Sequence, residues 1–303
     1  MSYLAIVIAD PIALVAAPLA VCLAVPLPSR RDVIWVAVLA GLVAVGLSGP
    51  ADGFERLAHA WVVLLTGSLV IVFALGRTRR FVPVGLAAVA GAAVAAALLL
   101  LLTGRSWGEV VWLAERHFGA ILRQMIGAAA ALAATTNGAA AAATIGTLDA
   151  YAAGFVRIVS HLFAGLVLLQ SLAAIALAWA LYHRIAREPR GEPLGPLAAF
   201  RFNDHLIWGV TGSLLVLVFP HLGWLNALGG NLLVFFGGLY VLRGVAVFSA
   251  VTAGRLEGPL AVFVATFVAL LLWPVSAPAA LAVGLTDTLM DWRRRLAGAL
   301  QKP

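Results

Sequence analysis

The chain has 303 residues, of which 63% are hydrophobic and 11% charged, and its mean hydropathy is +1.04. Those values exclude a soluble domain and describe a polytopic membrane protein. The formal charge of +7 is almost wholly arginine, because Lys302 is the only lysine; the arginines gather between apolar runs, which describes topology-setting loops and excludes a nucleic-acid-binding stripe.

The first apolar run, Leu4 to Val25, lacks the basic start and cleavage pattern of a secretory signal and reads as a retained span. Pro11 and Pro18 interrupt it. A proline frees the carbonyl one turn earlier, so Asp10 beside it is a candidate for holding a donor or cation; the alternative is a helix-end carboxylate wetted from the N-terminal side. Ala13 with Ala17, and Ala16 with Ala20, are small pairs at helical spacing that let a partner helix dock closely. Cys22, the single cysteine, leaves no partner for an internal disulfide and no cysteine-based metal site.

A short span, Val33 to Leu47, leads to the mixed-charge loop of Asp52, Glu55 and Arg56. Ala58 to Leu75 is the next span, stopped by Arg77, Arg79 and Arg80, and Val82 to Leu102 follows, built of alanine and leucine. Residues 107–126 differ in kind: Val111, Ala114, Phe118, Ile121, Leu122 and Met125 share one side, while Glu109, Arg116 and Arg123 recur every seven residues opposite them. That pattern predicts an amphipathic helix lying in the membrane interface. Residues 127–153 are almost all Ala, Gly and Thr with Asn137 and Asp149, and periodicity leaves a continued helix, a re-entrant pair and a loop all open.

Phe155 to Tyr182 is a long span in which Arg157, His161, Ala164 and Ser171 share a face, with Gln170 close by. Polar groups at membrane depth face a bundle or a wet cavity; the milder alternative puts Arg157 and His161 at the headgroups and buries only Gln170 and Ser171. Residues 183–205 form the one extended polar connection, rich in arginine and proline and therefore cytoplasmic. Leu206 to Phe219 is another span. In Gly229 to Val251, Gly230, Gly237 and Gly244 recur every seven residues and predict close approach of another backbone, while Asn231, Tyr240 and Arg243 lie within the apolar length. Arg243 either serves a site at depth or extends its guanidinium to the surface two turns from the helix end.

The last apolar region, Leu260 to Gly284, contains Trp273-Pro274 and reads as one kinked span or a short hairpin. It runs into a basic tail, 287–303. There Asp287 and Asp291 share a helix side and can pair with Arg294 and Arg295, as a juxtamembrane anchor or, with Arg293, as a docking handle for a cytoplasmic partner. Tryptophans at 35, 61, 179, 208, 224 and 292 mark span ends as an aromatic belt does. The expected fold is all-α: a polytopic transmembrane helical bundle of about eight hydrophobic segments plus the interfacial helix, in one integral domain over 1–303.

Catalytic signatures are missing: no phosphate-binding glycine loop, no paired histidines around a glutamate and no nucleophile elbow occurs. The six histidines are scattered, so neither an enzyme nor a metal site is expected, and no cofactor.

Three strings carry a resemblance. They are Phe200 to Gly209 (FRFNDHLIWG), Asn231-Leu232-Leu233 leading to Leu239 to Gly244 (LYVLRG), and Gly284 to Asp287 (GLTD) with Asp291-Trp292-Arg293. In this order they resemble the YybS-like family of bacterial inner-membrane proteins, which is distantly similar to the substrate-capturing subunits of energy-coupling-factor vitamin transporters. The resemblance implies a compact bundle with a small-molecule pocket, docked through an alanine-lined helix, here Ala13 and Ala17, to a membrane coupling subunit driven by a separate ATPase. The expectation is then a non-catalytic, multi-pass inner-membrane protein, its pocket lined by Asp10, His161, Gln170, Asn231, Tyr240 and Arg243. A scaffold or assembly factor without a small-molecule ligand is the rival reading.

Overall fold

The computed structural model describes residues 11–24, 52–75, 80–134, 138–219, 224–252 and 271–292, with isolated residues between 34 and 43 and between 264 and 268; the side chains of 132–150 and of 224 lie outside the description. Among the described residues every regular element is helical: α1 (Pro11–Ala24), α2 (Gly53–Leu75), α3 (Phe81–Leu102), α4 (Trp107–Ala134), α5 (Gly138–Ile185), α6 (Ile207–Val218), α7 (Trp224–Thr252) and α8 (Trp273–Met290). Four are long and apolar enough to cross a membrane: α2, α3, the Tyr151–Ile185 part of α5 and the Leu225–Thr252 part of α7. The apolar stretches 33–47 and 260–270 fall largely outside the described residues. The chain packs as two units, Met1–Pro193 and Leu194–Pro303.

In Met1–Pro193, α1 is buried on nearly every side. Ala13 and Ala17, expected to dock a partner subunit, are 1% and 7% exposed because α1 packs on α5 and α2 of its own chain. Small residues permit close packing but do not say with what. The start of α2 is fixed by a reciprocal cap: Asp52 Oδ1 accepts the Glu55 N–H at 2.7 Å and Glu55 Oε2 accepts the Asp52 N–H at 2.9 Å. Asp52 Oδ2 lies 3.3 Å from His117 Nδ1 on α4, and the His117 ring stacks on Phe54 at 4.5 Å.

The amphipathic helix runs on to Ala134, and its apolar side does not face lipid alone. Ala114 and Phe118 form a core with Phe54 and Val167, onto which Val156, Val159 and Phe163 of α5 pack. Periodicity identifies an apolar side and leaves its cover undetermined. The alanine-rich segment is helical on both sides of 135–137, as alanine's propensity favours. Its second half belongs to α5, whose 48 residues extend about 72 Å, more than twice a hydrocarbon core of about 30 Å.

Two of the tryptophans assigned to an aromatic belt point inward instead. Trp61 Nε1 donates to Ser171 Oγ at 2.8 Å, and Trp179, 1% exposed, stacks on Phe73 at 5.9 Å. Trp112, Trp208, Trp273 and Trp292 are exposed.

In Leu194–Pro303, α7 packs against both α6 and α8. Of the three glycines at seven-residue spacing, only Gly244 is shown meeting another backbone: a methyl group there would run into the Ala280 carbonyl of α8, whereas Gly237 faces open space. The same crossing is closed from the other side by Gly284, where a methyl group would strike the Tyr240 carbonyl. The last apolar region breaks at Leu272, and α8 restarts at Trp273 with Pro274 in its first turn, where a missing N–H costs nothing.

Candidate functional site

The Gly244/Gly284 crossing brings the backbones of α7 and α8 together one residue from Arg243 and three from Asp287. A short aspartate side chain can therefore reach Arg243 near the base of its guanidinium: Nε donates to Asp287 Oδ2 at 2.9 Å. Both side chains are fully enclosed, at 1% and 0% exposure. On its other side the guanidinium donates from Nη1 to Asp204 Oδ1 at 2.6 Å. Asp204 opens the 3-10 turn Asp204–Leu206 and is itself 64% exposed.

The rest of the strap preceding α6 closes over this centre. Phe202, which is buried, lies 5.4 Å from the guanidinium carbon and meets the Tyr240 ring edge-on at 5.1 Å. Arg201 pairs with Asp291, the residue that ends α8 in a left-handed conformation with φ 45°. Aspartate is among the few residues that adopt this conformation readily. Two ion pairs and one buried ring thus hold residues 200–206 across α7 and α8. The charge is unbalanced: Arg243 stands between two carboxylates, one sealed and one open to solvent.

The expected site residues are divided between the two units. Arg243 and Tyr240 belong to this centre, with Tyr240 completely buried beside Thr288. Asn231 is buried about two and a half turns away from Tyr240 on α7, and its amide donates to the Ala227 carbonyl of its own helix at 2.8 Å. Gln170 and His161 lie in the other unit. Gln170 is half-buried, and His161 is exposed, its Nδ1 2.9 Å from the Arg157 carbonyl and 3.9 Å from Glu115. Asp10, Arg293, Arg294 and Arg295 lie outside the described residues.

Asp287 is corrected from a docking handle to a core residue. A carboxylate removed from water needs a counter-charge, and Arg243 supplies it where a local pair on a helix surface was expected. Asp291 is half-buried and is used by Arg201.

Sequence reasoning missed Asp204 and Phe202 as members of the site. Their signal was present: the three strings that carry the family resemblance are the segments that meet here, through Phe202 and Asp204, Tyr240 with Arg243 and Gly244, and Gly284 with Asp287 and Asp291. Among the described residues no group of three or more His, Cys, Asp or Glu side chains could hold a metal ion.

An all-α bundle with long apolar helices and a charge centre enclosed between two of them defines a membrane-embedded protein. The chain belongs to the family described as predicted membrane protein (DUF2232), whose model matches residues 1–288. No curated protein and no solved structure matches the chain.

Proposed function

We propose that this chain is a non-catalytic, multi-pass protein of the bacterial inner membrane that binds a small anionic molecule at Arg243, as the capture subunit of a transporter does. The observation that carries this reading is the asymmetry of the arginine's partners: Asp287 is sealed in the core, whereas Asp204 sits on an exposed turn and occupies the outward donor. A purely structural core gains little from such a centre, because buried ion pairs replaced by apolar groups of similar size are often as stable or more so. An ionisable group enclosed within an apolar helix of spanning length is better explained by a ligand that needs it. In this reading Asp204 holds the place of the ligand's anionic group, and Phe202 and Tyr240 flank it. Active transport requires a separate coupling subunit and ATPase, as the resemblance to energy-coupling-factor systems implies.

A scaffold without a ligand is favoured by one observation, that Arg243 is already paired within the chain by both Asp204 and Asp287. Thermal unfolding of the purified protein with a panel of small carboxylates and phosphate monoesters separates the two. Capture predicts stabilisation by at least one compound, absent from the folded variant Arg243→Met/Asp287→Leu. A scaffold predicts no stabilisation in either protein.

A further inference from the structure

At one end of the unit Met1–Pro193 the chain leaves α5 and folds back onto its last turns. Trp179 Nε1 donates to the Glu192 carbonyl at 3.0 Å, the Tyr182 hydroxyl accepts the Arg190 N–H at 2.7 Å, and His183 Nε2 lies 3.4 Å from the Gly191 carbonyl. Gly191, at φ 95°, supplies the left-handed turn this closure needs. Three ring-bearing side chains of about one helical turn therefore fix the path of the loop and the positions of its arginines.

Arg184, Arg187 and Arg190 are exposed, and Arg80, at the start of α3, joins the same end through Glu192 at 3.5 Å. Against these four guanidinium groups stand two carboxylates, Glu188 and Glu192, so the patch is net positive. Leu177 and Ala173, seven and eleven residues before Arg184, share its helical face, and both are exposed, Leu177 by 52%. The patch caps α3 and α5 where two helices long and apolar enough to cross a bilayer reach their ends. The ends of such helices are where cationic groups meet lipid headgroups, and apolar surface continues from Arg184 along Leu177 and Ala173.

We propose that this end of the unit is a docking surface for an anionic phospholipid, with the headgroup phosphate held by Arg184, Arg187 and Arg190 and an acyl chain lying along Leu177 and Ala173. Arginine matches phosphate oxygens with a planar fork of donors. The apolar strip beneath Arg184 is what selects a lipid over free phosphate, which would use the arginines alone. This proposal is independent of the one made for Arg243.

The test is native mass spectrometry of the full chain in detergent, titrated with phosphatidylglycerol or phosphatidylcholine of matched acyl chains, and with inorganic phosphate. Wild type should retain phosphatidylglycerol in preference to phosphatidylcholine, with roughly a fivefold loss of that preference for each arginine neutralised near the surface. Arg184→Gln/Arg187→Gln/Arg190→Gln should bind the two lipids alike, and the triple lysine variant should keep most of the preference. Should the triple glutamine variant fail to fold, Arg187→Gln alone must still show the single-step loss. Equal retention of both lipids by wild type, an undiminished preference in the glutamine variants, or competition by inorganic phosphate at matched concentration would overturn the proposal.

Discussion

In Met1–Pro193 the described polar side chains mostly work at helix ends and on backbone: Asp52 and Glu55 cap α2, and Trp179 and Tyr182 bind the loop that follows α5. In Leu194–Pro303 the strongest polar interactions lie between elements, where Arg243 joins α7 to α8 through Asp287 and to the strap through Asp204. The first arrangement satisfies backbone groups that helix ends and loops leave open. The second places charge where apolar side chains would pack as well, and that difference is the reason for assigning function to the second unit.

The largest effect expected from breaking this contrast is at Asp287. Asp287→Leu leaves the enclosed guanidinium without its buried counter-charge and should cost about 3–5 kcal/mol, whereas Arg243→Met/Asp287→Leu should recover most of it. Asp204, already exposed, can return to water in the double variant. Thermal unfolding in detergent checks both; a double variant as damaged as the single would mean that the centre is structural after all.

Gly244→Ala comes next. The added methyl meets the Ala280 carbonyl, a backbone atom that cannot rotate away, so α7 and α8 must part and about 1–3 kcal/mol is lost. Gly237→Ala, facing open space on the same helix, should be neutral or slightly stabilising, because alanine outperforms glycine in a helix interior.

The cap of α2 gives a smaller effect with a characteristic pH dependence. Partial burial raises the Asp52 carboxyl, but hydrogen bonds from the Glu55 backbone and His117 outweigh it and hold the group below its ordinary value. A depressed carboxylate stabilises the fold above its unfolded value, and that contribution disappears as the pH falls through the folded one. Asp52→Ala should therefore cost about 1 kcal/mol at neutral pH. The gap from wild type should close on acidification below the ordinary aspartate range; a gap that persists there would assign the effect to packing. Arg80→Gln, which removes an exposed pair with Glu192, should change stability by less than about 1 kcal/mol.

Much of this fold was legible in the sequence because apolar length and helical periodicity are local properties. The all-α class and the membrane character both follow from residues within single segments, whereas the sequence left open whether Arg243 is enclosed or reaches the surface. What was not legible is what each face meets. Ala13 and Ala17 presented a docking surface whose partner proved to be their own chain, and the glycine spacing in α7 marked three positions of which Gly244 alone is shown touching another backbone. Asp287 and Asp291 had arginines at helical spacing nearby, so local pairing was the natural inference. The structure instead pairs them with Arg243 and Arg201, 44 and 90 residues away, and separations of that kind leave no periodic trace.

The claim on which the functional reading rests is that Asp204 occupies the place of an anionic ligand at Arg243. Native mass spectrometry of wild type and Asp204→Asn, titrated with whichever carboxylate or phosphate monoester stabilises the wild type, tests it most directly. Removing a charge-assisted competitor should tighten binding roughly tenfold. Unchanged or weaker binding by Asp204→Asn would contradict the account and leave the triad as a clasp between strap and helices.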